Sequence, residues 1–334
     1  MAEPTQTDDW TRPGGPETGE VPGKLMLAGE YAVVNHRATA IAMAVGNLVR
    51  WRLGPESEAP MLTMSAFGTT ASQPMAAIDG AGLWQLAGTV LQHLRDLHVA
   101  PKRAIELQVA GHVGGRKLGL GTSSAVTLAL LQAALVEAGR PLDPAWLMKQ
   151  GLAIHGAAQG GRGSGYDIAT QAWGGLISYR QPPAEVKVLV WPSGLFGAAL
   201  WTGTPADTTS ALRRGVQHDK ARMKAIAAQS EALLARWQAG DVPRILAALA
   251  ASEAAFGDLA RGHGHLVPAT ARELIAVIEG RGAVARTSGA GGGDCLLALA
   301  ANVAVIDAVV ADWRATGGHC VARLPDDIRL LERQ

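Results

Sequence analysis

The stretch Lys117-Leu118-Gly119-Leu120-Gly121-Thr122-Ser123-Ser124-Ala125 constrains this chain more than any other. Its glycines allow positive φ and let the backbone pass close to a ligand. Its hydroxyl residues run straight into Val126–Ala138, which is rich in Ala and Leu and is predicted to be helical. A glycine turn that opens a helix leaves N–H donors at the positive end of a dipole, which suits a phosphate. Two more unusual stretches lie far away in sequence. One is Gln159-Gly160-Gly161-Arg162-Gly163-Ser164-Gly165-Tyr166-Asp167-Ile168-Ala169, and the other is Thr287-Ser288-Gly289-Ala290-Gly291-Gly292-Gly293-Asp294-Cys295.

A chain of 334 residues implies one large domain or two medium ones, and a 48% hydrophobic fraction can fill their interiors. Thirty basic residues balance 29 acidic ones with no basic block, which argues against nucleic acid as the main partner. Two cysteines, Cys295 and Cys320, cannot make a disulfide framework, so a cytoplasmic setting is expected. No apolar run reaches the ~20 residues of a membrane span, and no signal-peptide pattern opens the chain. Residues 1–20 are rich in Pro, Gly, Thr and acidic residues and read as a disordered leader. The histidines show no metal-ligand spacing.

Leu25–Ala28 reads as a buried strand, and Ala38–Leu53 as a strand pair. Ala81–His98 is an amphipathic helix with Leu83, Leu86, Val90, Leu94 and Leu97 on one side. Ile105–Ala110 alternates as a strand, and Asp143-Pro144 caps a helix running to about Ala158. Three strands follow, Leu176–Tyr179, Val186–Trp191 and Phe196–Thr202, with Gln181-Pro182-Pro183 as the candidate domain boundary. Ala206–Gly257 is helical with a break near Gly240-Asp241-Val242-Pro243, and Pro268–Glu279 is another helix. Strands at Ala283–Arg286, Leu296–Ala300 and Cys320–Leu324 and a helix at Val303–Ala315 complete an α+β pattern without strict alternation.

Phosphoryl transfer from a nucleotide needs a phosphate cradle, a magnesium ion, a positive group and a way to orient the attacking oxygen. Gly119–Ser124 offers the cradle, and a serine hydroxyl there suits magnesium. Asp167, in a glycine-rich turn, can orient or deprotonate the attacking group. Lys24, before a buried strand, supplies the charge, and Gly289–Gly293 forms a second flexible loop. The glycine turn is not a Walker A loop, having no Gly-Lys-Ser/Thr. Nor is it the dinucleotide fingerprint, since Ser124 stands at the third glycine position.

Together these stretches resemble the GHMP kinase superfamily, whose three motifs appear in order at Pro22–Val34, Lys117–Ala125 and Thr287–Cys295. Within it the chain most resembles the phosphomevalonate kinase branch. That likeness rests on Tyr31, on Arg162–Ala169, on Thr287–Cys295 and on Trp201–Ala206 followed by Thr208, Thr209 and Ser210. The resemblance implies a two-domain fold. Residues 21–182 would form an N-terminal domain with a left-handed βαβ crossover, and residues 183–334 a ferredoxin-like C-terminal domain.

It also implies an enzyme using ATP and Mg2+ to convert 5-phosphomevalonate to mevalonate 5-diphosphate, as a monomer or homodimer. Mevalonate kinase or another small-molecule kinase of the superfamily is the alternative, and a non-catalytic ligand-binding relative a further one. Residue by residue, Asp167 matches the catalytic Asp, Lys24 the Lys beside it, and Ser123 the serine that holds magnesium and phosphate. Lys117, Gly119, Leu120, Gly121, Thr122 and Ser124 match the ATP loop. Tyr31, Ser288, Gly289, Ala290, Gly291 and Gly292 are expected near the acceptor. An acceptor that is itself a phosphate needs extra positive charge, for which Arg162, Arg213, Arg214 and Lys220 are candidates, with Ser164, Gly165, Ser210 and His218 alongside. Thr122, Ser124 and Arg286 depart from the commoner residues at their places (Ser; Ala or Gly; Lys).

Overall fold

A computed structural model describes residues 17–35, 38–158, 163–205, 216–263, 266–291 and 293–329. Its longest strand, β2 (Ala40–Glu56), is the spine of the first sheet. The strand pair expected over Ala38–Leu53 is thus one continuous strand. Gly46, at φ +54°, is absorbed in the strand, its N–H donating to the Asp327 carbonyl at 3.0 Å. β1 (Thr18–Ala28) lies antiparallel along one edge of β2, pairing Lys24 with Ala44. This places residues 18–20, expected to belong to a disordered leader, in the sheet; residues 1–16 lie outside the described residues.

The other edge of β2 is shared by β5 (Arg103–Val109) and β8 (Leu176–Arg180). β3 (Met61–Ala66) and β4 (Thr69–Pro74) make a hairpin turning at Phe67 and Gly68, both at positive φ. β3 lies parallel to β5, and the crossover between them carries α2 (Leu83–Asp96). β9 (Glu185–Leu189) completes a seven-stranded sheet. Gln181-Pro182-Pro183 is therefore the turn of the β8–β9 hairpin, and the chain leaves the first sheet after Leu189 rather than at residue 182.

On this sheet lies α3 (Thr122–Glu137), flanked by α2, α4 (Pro144–Ala158) and α5 (Tyr166–Trp173). Its residues Ser124–Leu135 are all buried, as an Ala- and Leu-rich helix apolar on every side must be. The one amide among them, Gln132, is satisfied by Trp51 Nε1 at 2.9 Å.

The second sheet comprises β10 (Phe196–Trp201), β11 (Val284–Thr287), β12 (Cys295–Ala300) and β13 (His319–Leu324) in the order β11-β12-β10-β13. Between β10 and β11 run α6 (Lys220–Ala239), α7 (Val242–Gly262) and α8 (Ala269–Gly280), and between β12 and β13 runs α9 (Val303–Ala315). This is the βαββαβ order of a ferredoxin-like unit. Asp219, Asp241 and Asn302 cap α6, α7 and α9 through the N–H groups of Arg222, Arg244 and Ala304. After β13 the chain returns to the first sheet, where Arg329 N–H donates to Ala44 O at 3.0 Å. Among the described residues no helix is long and apolar enough to cross a membrane.

Candidate active site

The outer edge of β1 receives the glycine loop. The Lys24 N–H donates to the Leu120 carbonyl at 2.9 Å, and Lys24 Nζ to the Gly119 carbonyl, also at 2.9 Å. Gly119 and Gly121 sit at φ +78° and +83°, a region that L side chains rarely adopt. Contact enforces the same choice. A Cβ on Gly119 would lie 2.0 Å from Asp294 Cγ, and one on Gly121 would lie 3.0 Å from Lys24 Cγ. Gly121 is the N-cap of α3 and no side chain caps that end. The first-turn N–H groups therefore stay available to an anion.

The loop's side chains divide by direction. Ser123 is exposed at the mouth of the helix. Ser124 is buried and its hydroxyl donates inward to the Gly121 carbonyl at 2.9 Å, so in this geometry it braces the loop. Thr122 is buried, and the buried Leu120 anchors the loop, leaving only its backbone to a ligand. Cys295 lies beneath, its thiol directed at the Leu118 carbonyl at 3.4 Å. Burial pushes that thiol well up, so it is no nucleophile. Lys117 is exposed on β7 (Arg116–Lys117), with Nζ 5.7 Å from the centre of the Phe67 ring.

Asp167 is not in a turn, as the surrounding glycines suggested, but in the first turn of α5. The helix begins there because Gly165 takes the left-handed conformation at its N-cap; a Cβ would strike Leu152 Cδ2 at 2.2 Å. An acidic residue at a helix N-terminus is favoured by the dipole. The Ser164 carbonyl accepts from the Tyr179 hydroxyl at 3.1 Å, which fixes the approach to the helix.

Beside Asp167, Tyr166 puts its ring 5.5 Å from Lys24 Nζ. Burial alone would lower the Lys24 ammonium. The Tyr166 phenol, which shares a hydrogen bond with it, and the carboxylates of Asp294 and Asp167 outweigh burial and keep it charged. Burial pushes the Tyr166 phenol up and keeps it protonated.

The third glycine stretch closes the far side. Gly289, at φ +81°, faces Tyr166, whose hydroxyl would be 3.7 Å from a Cβ there. Gly291 approaches Phe256 so closely that a Cβ would lie 2.1 Å from its ring. Tyr31 is buried and its hydroxyl donates to the Ala290 carbonyl at 2.6 Å, strapping this loop to the end of β1. Ser288 is likewise buried, its hydroxyl accepting from Met26 N–H at 2.9 Å. Behind them Arg286 is fully buried. Its Nε donates to the Leu27 carbonyl at 2.7 Å, Nη1 to Glu253 at 2.6 Å, and Nη2 to Glu30.

The structure thus brings Lys24, Gly119–Ser123, Asp167 and Gly289 to one place. Arg162, Ser210, Arg213, Arg214 and Gly292 lie outside the described residues. Lys220 and His218 are exposed near the start of α6. Tyr166, Gln171 and Asp294 join the site without having been singled out. Each sat inside or beside a motif, but only the fold shows that their side chains meet Lys24 or the loop.

The family described as GHMP kinases N terminal domain matches residues 85–175, from α2 through α5. The chain is 28% identical over 332 residues to the phosphomevalonate kinase of Streptomyces sp. (strain CL190), an alignment covering 83% of this chain and 88% of that protein. The chain is thus similar to GHMP kinases through the segment that holds the glycine loop and α5. Two solved GHMP kinases share its fold. Streptococcus pneumoniae phosphomevalonate kinase, in complex with phosphomevalonate and AMPPNP, superposes with a TM-score of 0.79 at 18% identity, over 92% of this chain and 99% of that one. Methanococcus jannaschii mevalonate kinase gives 0.76 at 15% identity, over 96% and 100%. The GHMP kinase fold is thus shared by relatives with different acceptors, and the acceptor must be argued from elsewhere.

Proposed function

We propose that this chain transfers the γ-phosphoryl group of ATP to the phosphate of 5-phosphomevalonate, giving mevalonate 5-diphosphate and ADP. The observation that carries the phosphoryl-transfer reading is the meeting of Lys24, the uncapped glycine loop and the first turn of α5 at one point. The acceptor is supported by the likeness to the Streptomyces phosphomevalonate kinase over 83% of this chain and 88% of that protein.

The N–H groups of the Gly119–Ser123 segment would hold the nucleotide phosphates, and Lys24 would face the transferring phosphoryl group, where charge develops. An oxygen of the acceptor phosphate attacks the γ-phosphorus, and the bond to the β,γ-bridging oxygen breaks with ADP leaving. That oxygen is already anionic near neutral pH, so Asp167 would orient the acceptor and balance charge rather than abstract a proton. The Tyr166 hydroxyl, between Lys24 and Gly289, would position the acceptor side of the transferring group.

Among the described residues no group of three or more His, Cys, Asp or Glu could cage a metal. This fits a magnesium ion held largely by nucleotide phosphates and water. The exposed Ser123 hydroxyl is its candidate protein ligand, and the ion would neutralise phosphate charge. In this reading residues 17–189 form a nucleotide unit, and 196–324 a unit that carries the third glycine loop. A cytoplasmic enzyme fits the two free cysteines.

ADP release with 5-phosphomevalonate, compared with mevalonate, tests the proposal. Turnover of mevalonate alone would move the chain to the other branch, and nucleotide binding without any transfer would favour a non-catalytic relative.

A further inference from the structure

Gln171 is a fully buried side chain one helical turn beyond Asp167 on α5. Its Nε2 faces three carbonyls: Pro22 at 2.8 Å, Gly121 at 3.1 Å and Leu120 at 3.4 Å. Pro22 belongs to the strand that carries Lys24, and Leu120 and Gly121 belong to the glycine loop. Three acceptors around one nitrogen also settle which end of the amide is which, because an oxygen there would be repelled by all three. The Oε1 end is buried with no hydrogen-bond partner among the described residues. A side chain kept only to fill space would do better as Met or Leu, since half of this amide's bonding capacity goes unused in a buried place. What the amide adds is its two N–H donors.

We infer that Gln171 is a positioning residue of the nucleotide site. It pins the Gly121 and Leu120 carbonyls inward against the Lys24 strand, and so turns the peptide N–H groups on their other side toward a phosphate. In a planar trans peptide the C=O of one residue and the N–H of the next point in opposite directions. Drawing the Leu120 carbonyl toward Gln171 and Lys24 N–H directs the Gly121 N–H away from them. Drawing the Gly121 carbonyl toward Gln171 and Ser124 Oγ does the same for the Thr122 N–H. Because Asp167 shares the helix, α5 also holds the acceptor-side carboxylate at a fixed distance from the donor loop. Registry of donor against acceptor is where small displacements are felt most in phosphoryl transfer.

This inference rests on the proposed kinase reading. Its test is calorimetric titration of the full chain with AMPPNP and Mg2+, for wild type and Gln171→Met, alongside KM for each substrate and a melting curve. Gln171→Met keeps the volume and removes the donors. It should raise the Kd for AMPPNP about tenfold, the effect of losing one well-placed hydrogen bond, while the acceptor KM moves less than about twofold. A purely structural amide would lower the melting temperature and leave the Kd of the folded protein unchanged, and that result overturns the inference. Should Gln171→Met fold too poorly to titrate, Gln171→Glu, of the same shape, is read by the same two outcomes. A wild-type protein that binds no nucleotide overturns the kinase reading and this inference with it. Wild-type binding with an unchanged variant overturns the inference alone.

Discussion

Lys24 and Gly119 are 95 residues apart in the chain, yet the ammonium of one donates to the carbonyl of the other at 2.9 Å. The contact joins the first glycine-containing motif to the second. Tyr166, Asp294 and Asp167 surround the same ammonium and keep it charged against burial. A cation held by the loop it serves cannot swing away when the site is empty, and such preorganisation is what makes fixed charges effective in catalysis.

Removing that charge should affect the chemical step more than ground-state binding. Lys24→Met is expected to lower kcat by about 10²–10³-fold, in line with the loss of one preorganised charge. Lys24→Arg should recover only part, since a planar guanidinium does not occupy the place of a compact ammonium. Steady-state kinetics check this, and a kcat for Lys24→Met within about threefold of wild type would remove Lys24 from the reaction.

Gly119 leaves no room for a side chain. A Cβ there would meet the Asp294 carboxylate at 2.0 Å, and the φ of +78° is strained for any L residue. Gly119→Ala should therefore displace either the loop or Asp294, and lower kcat/KM by about 10²-fold, the scale of a displacement of roughly 1 Å at a reacting centre. Pairing it with Asp294→Gly relieves the contact and should restore part of the loss. A double variant no better than Gly119→Ala would show that backbone strain alone is at fault.

Much of this arrangement was legible in the chain because it rests on local rules. Asp143-Pro144 opens α4, and Asp143 accepts from the N–H groups of Ala145 and Trp146. The Val303–Ala315 helix has the expected bounds because Asn302 caps it. Gly119–Ser124 opens α3 for the reasons a glycine and hydroxyl run implies. What could not be read was set by distant partners. Ala38–Leu53 looked like a strand pair, but Asp327 accepts the Gly46 N–H and the strand continues. Tyr31 and Ser288 looked like groups for a substrate, yet both hydroxyls join β1 to the third glycine loop. Nothing near Gln171 in sequence marks it, because its three partners come from Pro22, Leu120 and Gly121. The 61–74 hairpin turns through Phe67-Gly68, a pair without the usual Asn or Asp signal.

Arg286 holds the two units together from inside. It bridges Glu253 of α7 and Glu30 of the β1 end, and burial is what pushes the Glu30 carboxyl up against the pull of Arg286. Arg286→Met would leave buried carboxylates without their cation and should destabilise the fold by ~3–5 kcal/mol. Adding Glu30→Gln removes one of those charges and should recover a large share. Urea unfolding midpoints check both, and an unchanged midpoint for Arg286→Met would contradict the role assigned to it.

The site built on Lys24, the glycine loop and Asp167 is proposed to join two phosphates. Phosphorus NMR of the purified chain with ATP, Mg2+ and 5-phosphomevalonate reads this directly. The acceptor's monoester resonance should give way to the paired resonances of a diphosphate as ADP appears. With mevalonate as sole acceptor neither ADP nor a new phosphomonoester should form. A new monoester from mevalonate, with 5-phosphomevalonate left untouched, would contradict the proposal.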